Sequence, residues 1–130
     1  MNIEDLRQYI LTLPNVEEVE QFPDVLVYKI AGKWFACYML ERSGFIAVKC
    51  NPERAILLRD KYDSVTPAWH FNKRHWNDLQ FDSLPADIVK REIRHSFLTV
   101  IRKNVSPKSL RLELLNMAES CGIKDANLPQ

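Results

Sequence analysis

The fold is decided by residues 25–39, which read VLVYKIAGKWFACYM. Both halves of this stretch are rich in β-branched and aromatic side chains, which favour strands. Ala31 and Gly32 between them predict a two-residue hairpin loop, since glycine adopts positive φ without a steric penalty. After a second short turn, residues 45–50 predict one more strand. Strands joined this closely predict an antiparallel meander.

The residues before the meander predict a helix and a strand. Asn2 is a favourable N-cap, and apolar residues follow it at helical spacing until Pro14 and Asn15 end the helix. Residues 16–21 alternate apolar and acidic side chains, as a half-exposed strand does.

The residues after the meander predict mostly helix. Asn51 and Pro52 begin a second helix, and Pro67 predicts a loop over residues 64–68. A last strand follows over residues 75–81. An amphipathic helix is predicted over residues 86–103, and a final helix has Ser106 as its N-cap and Pro107 at its first position, with Gly122 as its stop.

This order, α-β-β-β-β-α-β-α-α, indicates an α+β fold of two layers. The antiparallel sheet has its helices packed mainly on one face. Residues 1–122 are predicted to form a single domain, and residues 123–130 a loose C-terminal tail.

Composition excludes several classes of protein. The chain has 130 residues, of which 46% are apolar and 27% charged, as in a globular domain. No apolar run approaches the roughly 20 residues that span a bilayer, and the N-terminus lacks the pattern of a signal peptide. We therefore expect a cytoplasmic protein with no membrane partner. The three cysteines have no disulfide-like or zinc-like spacing, which predicts reduced thiols.

Charge is unevenly spread along the chain. The net charge is +1, yet residues 1–24 carry one base and six acids, whereas residues 85–112 carry seven bases and two acids. Such polarity favours a surface for an anionic partner. The alternative is that these side chains only cover the solvent faces of helices.

The most informative stretch for function is HFNKRHW, residues 70–76, preceded by Trp69. Lys73 and Arg74 suit contacts with phosphates, and an exposed tryptophan suits stacking on a base. The alternative is structural: the aromatic side chains anchor an irregular loop to the core, and His70 and Asn72 hydrogen-bond its backbone. We call residues 69–76 the basic-aromatic loop.

Patterns of catalytic chemistry are missing from the sequence. His70 and His75 have no identifiable third ligand for a metal, and no serine lies in a nucleophile elbow. The three glycines are isolated, so no phosphate-binding loop is predicted. We expect no enzyme activity, no metal and no cofactor.

Five motifs, in order, resemble those of the MmcQ/YjbR family of small bacterial proteins. They are LPNVEE (13–18), VYKIAGKWFA (27–36), VKCNPE (48–53), PAWHFNKRHWN (67–77) and SFLTV (96–100). The resemblance implies a two-layer fold similar to secretion chaperones, also described as a double-wing DNA-binding fold. Phe97 stands where the family often has tyrosine, so a role that needs that hydroxyl is not expected here.

Two hypotheses for function follow. The first is a non-enzymatic DNA-binding protein that contacts phosphates. Its predicted site residues are Lys73, Arg74, His70, Asn72, His75, Lys33, Lys49 and Arg94. The second is a module that binds a protein or a small anionic ligand. A continuous basic face would favour the first, whereas a groove or pocket over Trp69, His70 and Trp76 would favour the second.

Overall fold

The computed structural model describes residues 1–125 and 127. The helices are Ile3–Leu11 (α1), Pro52–Lys61 (α2), Ala86–Asn104 (α3) and Lys108–Ser120 (α4). The strands are Val16–Phe22 (β1), Val25–Ile30 (β2), Lys33–Met39 (β3), Phe45–Lys49 (β4), Val65–Pro67 (β5) and Trp76–Gln80 (β6). Among the described residues, no helix is long and apolar enough to cross a membrane.

The six strands form one antiparallel sheet in the order β1-β2-β3-β4-β6-β5. The predicted α+β class is therefore confirmed. The hairpin loop is confirmed too, because Ala31 and Gly32 have φ angles of 50° and 78°. The short strand β5 lies where the sequence predicted a loop. Its residue Pro67 is tolerated because β5 is an edge strand, which leaves one side of its backbone without ladder partners.

Two of the three predicted helix caps are confirmed. Asn2 accepts a hydrogen bond from the backbone N–H of Asp5 (2.8 Å), and Asn51 accepts one from that of Glu53 (3.0 Å). The prediction for α4 was wrong by one residue, since Pro107 is its N-cap and no side chain caps the helix. The extended backbone of Pro107, with ψ of 172°, delays the first helical residue to Lys108.

The two faces of the sheet are covered differently. The inner face carries the main core beneath the helices, where Phe35 of β3 meets Phe97 of α3 edge to face at 5.4 Å. The outer face carries a smaller core, which consists of Val27, Cys37, Ala47 and Ala68 and is covered by aromatic side chains of the basic-aromatic loop. The prediction that the helices lie mainly on one face is thus confirmed, and the loop is the cover of the other face.

The first residues after α4 contact the domain. Ile123 packs against the main core, and the carboxylate of Asp125 lies 2.8 Å from Nδ1 of His95 and 2.7 Å from the guanidinium of Arg102. Ile123 and Asp125 therefore have contacts with the domain, and the loose tail over residues 123–130 stays a prediction. Residues 126 and 128–130 lie outside the described residues.

An ion pair ties the edge strand β1 to α1 and gives the first testable prediction. Glu18 accepts hydrogen bonds from Nε and Nη2 of Arg7 (3.1 and 2.9 Å) and from the hydroxyl of Tyr28 (2.7 Å). The hydrogen bonds from Arg7 are the main cause that lowers the pKa of Glu18 below its ordinary value of 4.5. A carboxylate with a lowered pKa stabilises the fold above its unfolded pKa, and this contribution is lost as the pH falls.

We therefore expect Glu18→Gln to lower the free energy of unfolding at pH 7 by about 1 kcal/mol. The deficit relative to the wild type should shrink as the pH falls below about 4.5. Urea unfolding between pH 2.5 and 7 measures both effects. Glu17→Gln is the matched control, because Glu17 is the exposed neighbour, and a deficit independent of pH would contradict the prediction.

Candidate nucleic-acid interface

The aromatic residues of the basic-aromatic loop attach it to the outer face of the sheet. Phe71 stacks on Trp76 at 4.5 Å and meets Trp34 of β3 edge to face at 6.4 Å. For Phe71 and Trp76 the structural interpretation is therefore correct. Trp69 differs, since 53% of its surface is exposed, although its ring lies beside that of His70 at 4.4 Å.

The polar residues of the loop are used mainly within the protein. The side chain of Asn72 accepts a hydrogen bond from the backbone N–H of Arg74 (2.9 Å), so Asn72 shapes the turn as the structural alternative predicted. Nζ of Lys73 donates to the carbonyls of Ala68 (2.8 Å) and Trp69 (3.2 Å). The ammonium of Lys73 thus holds the loop, so fewer of its N–H groups are left to donate to a phosphate.

His70 has a different partner from the one expected. Its Nε2 lies 3.0 Å from Oε1 of Glu41, whereas the sequence predicted a hydrogen bond to the loop's own backbone. Glu41 is presented by the short 3₁₀ turn Leu40–Arg42, which brings it beside the loop. His70 is therefore paired with a carboxylate, which disfavours an anion at this position.

Strand register gathers several predicted cations at one end of the sheet. Lys33 begins β3 opposite Ile30, and Lys49 ends β4 opposite Trp76. The carbonyl of His75 accepts a hydrogen bond from the N–H of Cys50 (2.7 Å), which puts Arg74 and His75 at the same end. Because Ala36 of β3 pairs with Val48 of β4, the backbones of Lys33 and Lys49 are roughly 8 Å apart.

The C-terminal end of α3 adds to this group. Nζ of Lys49 donates to the side chain of Asn104 at 2.6 Å. Burial, followed by the positive charge of Lys103, lowers the pKa of Lys49. Lys49 and Lys103 therefore lie close enough to repel each other, and within residues 1–125 and 127 no carboxylate bonds Lys49. We call Lys33, Lys49, Arg74, His75 and Lys103 the cationic end.

Arg94 lies elsewhere. It is on α3, and its guanidinium donates to the hydroxyl of Tyr9 on α1 at 3.0 Å. Both helices cover the inner face, so the sheet separates Arg94 from the basic-aromatic loop. Of the eight predicted site residues, four lie at the same end of the sheet by backbone position, namely Lys33, Lys49, Arg74 and His75. His70, Asn72 and Lys73 are used in the loop, and Arg94 is apart.

Sequence reasoning missed a cation–aromatic stack beside Trp69. The guanidinium of Arg42 lies 4.2 Å from the ring centre of Phe45 and 5.4 Å from that of Trp69. It also donates to the buried carboxylate of Asp78 at 2.8 Å, and Asp78 accepts the backbone N–H of Trp69 at 3.2 Å. The available signal was a carboxylate in the middle of a strand, which needs a partner when it is buried.

Other titratable groups have structural partners. Burial, with help from the charge of Asp78, raises the pKa of the Cys37 thiol to about 11. Nε2 of His95 accepts the N–H of Asn51 at 3.2 Å. Within residues 1–125 and 127, no three His, Cys, Asp or Glu side chains are grouped to hold a metal ion.

Comparisons with known proteins agree with the motifs. The YjbR family model matches residues 11–99. The uncharacterised protein YjbR of Escherichia coli K12 is 29% identical over 120 residues, which are 90% of this chain and all of that protein. The uncharacterised protein YbdF of Escherichia coli O157:H7 is 37% identical over 75 residues, which are 56% of this chain and 62% of YbdF.

Solved structures share the fold. A Deinococcus radiodurans protein with a DUF419 domain matches 97% of this chain and 91% of its own, with a TM-score of 0.77 and 28% identity. A protein from Pseudomonas syringae matches 74% of this chain and 96% of its own, with a TM-score of 0.63 and 28% identity. Because the family model covers most of the domain, the chain belongs to the YjbR family.

Proposed function

We propose that the chain is a cytoplasmic, non-enzymatic DNA-binding protein that contacts the phosphate backbone with its cationic end. The observation that carries the proposal is the gathering of Lys33, Lys49 and Arg74 at one end of the sheet by strand register. Phosphates attract such a group strongly, because each neutralised phosphate releases condensed counterions.

The electrostatics of Lys49 support the same proposal. Its ammonium is partly buried and is repelled by Lys103, so its charged form is disfavoured in the free protein. A bound phosphate would supply the missing negative charge and relieve this repulsion. The aromatic side chains Trp34, Phe71 and Trp76 make the adjoining surface rigid, which preserves the spacing of the cations.

Arg74 is the residue on which the proposal depends most. Its side chain is exposed, and only its backbone N–H has a hydrogen-bond partner among the described residues. A guanidinium presented in this way binds phosphate oxygens in a bidentate manner. Lys73 acts by holding the loop that carries Arg74, because its ammonium bonds the carbonyls of Ala68 and Trp69.

We expect Arg74→Ala to weaken binding to a fluorescent duplex and to reduce the slope of log K against log salt by about 1. Arg94→Ala is the matched control, since it removes the same charge from the inner-face layer and should leave binding unchanged. Fluorescence anisotropy between about 20 and 200 mM salt measures both quantities. The proposal fails if the wild type binds neither duplex nor single strands at low salt, or if both variants weaken binding equally.

A further inference from the structure

The two edges of the sheet differ in how open they are to another strand. At one edge, β5 has only three residues and contains Pro67, and both features keep an edge from pairing. At the other edge, β1 has seven residues and no proline. Among the described residues, the backbone of β1 is hydrogen-bonded only to β2. The side of β1 that faces away from β2, here called the β1 edge, therefore has N–H and C=O groups available for one more strand.

The strand β1 is already held in an extended conformation. All of its residues except Gln21 pair with β2, and Gln21 forms a bulge. On the inner face, the ion pair between Glu18 and Arg7 fastens β1 to α1. The β1 edge is thus a preformed template, so that only the added segment would lose conformational freedom on binding.

The acidic side chains of β1 determine which charge a partner should carry. Glu17 and Glu20 are exposed, and neither forms an ion pair within residues 1–125 and 127. Lys29 of β2 lies opposite Glu17 in the register, but no ion pair joins the two. Opposite charges on neighbouring strands attract each other across the ladder. A strand with lysine or arginine opposite Glu17 and Glu20 therefore complements the β1 edge.

The same charges disfavour a second copy of this chain as the occupant. An antiparallel pairing centred on Glu18 or Glu20 places that glutamate opposite its own copy, and one centred on Val19 places Glu18 opposite Glu20. Like charges directly opposite each other destabilise a pair of strands. The β1 edge therefore favours a strand from another protein over self-association.

Apolar side chains on the outer face add a second requirement for the partner. Phe22 is 61% exposed, the largest fraction among the large apolar residues that the structure describes. Phe22 pairs with Val25 and Val19 pairs with Val27, and both partners in β2 belong to the smaller core of the outer face. The bulge at Gln21 thus keeps Phe22 and Val19 on one face. Apolar residues of an added strand opposite these two would extend that core.

We propose that the β1 edge binds a basic, extended segment of a partner protein as an added antiparallel strand. The basic side chains of this segment lie opposite Glu17 and Glu20, and its apolar side chains cover Val19 and Phe22. Backbone hydrogen bonds supply the affinity, and the spacing of the side chains supplies the selectivity. The β1 edge shares no residue with the cationic end, so this proposal does not rest on DNA binding.

The probe for the test is the capped peptide VKVTKV, whose lysines fall opposite Glu20 and Glu17 and whose first valine falls opposite Phe22. It is titrated into ¹⁵N-labelled full-length protein in about 150 mM salt, which screens distant charges. We expect saturable NMR shifts of the amides of β1 but not of β5. The peptide VEVTEV differs only in charge and should bind at least about tenfold more weakly. The peptide VKPTKV should give no saturable shift, because proline removes a backbone donor from the strand.

A charge exchange in the protein provides the matched variants. Glu17→Lys with Glu20→Lys changes two exposed side chains and should reverse the preference, so that VEVTEV shifts the amides of β1 and VKVTKV does not. Glu113→Lys with Glu119→Lys makes the same change of net charge at exposed positions of α4 and should bind VKVTKV as the wild type does.

Four results would overturn the proposal. The first is that VKVTKV causes no saturable shift of β1 up to about 5 mM. The second is that VEVTEV or VKPTKV binds the wild type as tightly as VKVTKV does. The third is that the Glu17→Lys, Glu20→Lys variant keeps the preference of the wild type. The fourth is a wild-type dimer in which the amides of β1 are protected from hydrogen exchange, because a second copy would then occupy the β1 edge.

Discussion

Replacing Glu92 with glutamine is expected to lower the free energy of unfolding by about 3–5 kcal/mol. Glu92 of α3 forms a two-pronged ion pair with Arg54 of α2, with both N···O distances at 2.7 Å and both side chains 1% exposed. Arg54 also donates to the carbonyl of Asn127 (2.8 Å), and Glu92 also accepts from Nε of Arg91 (2.7 Å). Glutamine removes the negative charge that balances these buried guanidinium contacts, and a buried pair broken from one side is strongly destabilising. Small domains have a total stability of about 5–15 kcal/mol, so this single change would leave little margin.

Two variants make the measurement specific. Glu4→Gln removes a carboxylate from the exposed Arg7–Glu4 pair and should cost less than about 1 kcal/mol. The double variant Arg54→Met with Glu92→Leu replaces the buried pair by apolar volume and should recover most of the lost stability. Urea unfolding of all variants gives the coupling between the two positions. A Glu92→Gln variant as stable as Glu4→Gln would contradict the prediction.

The ion pair between Arg54 and Glu92 could not be predicted from local sequence patterns. The caps at Asn2 and Asn51 are confirmed because both sides of each contact lie within three residues. Arg54 and Glu92 are 38 residues apart, and each is a common surface residue by type. The α2 pattern gave Arg54 no reason to be buried, because its cover comes from distant parts of the chain, which include Glu92 of α3 and the carbonyl of Asn127.

In the candidate site too, local contacts were predictable from the sequence and long-range contacts were not. The composition of the basic-aromatic loop predicted correctly that Phe71 and Trp76 are anchored. It predicted that Lys73 and Arg74 act alike, yet the carbonyls of Ala68 and Trp69 engage only Lys73. The grouping of Lys33 with Lys49 needed the strand register, and the edge strand β5 was missed because Pro67 favoured a loop.

Ser96 is a further residue whose importance comes from tertiary structure. Its hydroxyl lies at the point where β3 and β4 separate, just past the residues that pair the two strands. It donates to the carbonyl of Phe35 at 2.5 Å and accepts the N–H of Lys49 at 2.8 Å. One fully buried side chain on α3 thus stands in for a missing ladder bond between two central strands. The adjacent Phe97 has no hydroxyl and packs on Phe35. The hydrogen bonds from this part of α3 to the strands therefore come from Ser96.

We expect Ser96→Ala to lower the free energy of unfolding by about 2–4 kcal/mol, since it leaves a buried carbonyl and a backbone N–H without partners. Ser109→Ala, on an exposed position of α4, is the matched control and should stay within about 0.5 kcal/mol of the wild type.

Urea unfolding measures the loss of stability in Ser96→Ala, and native-state hydrogen exchange identifies its cause. The amide of Lys49 should lose protection in Ser96→Ala beyond the change explained by global stability, because its acceptor is gone. If that amide keeps its protection, the N–H has found another partner and Ser96 does not join the strands. Lys49 belongs to the cationic end, so the same loss should loosen the spacing between Lys49 and Arg74 and weaken DNA binding without removing any charge.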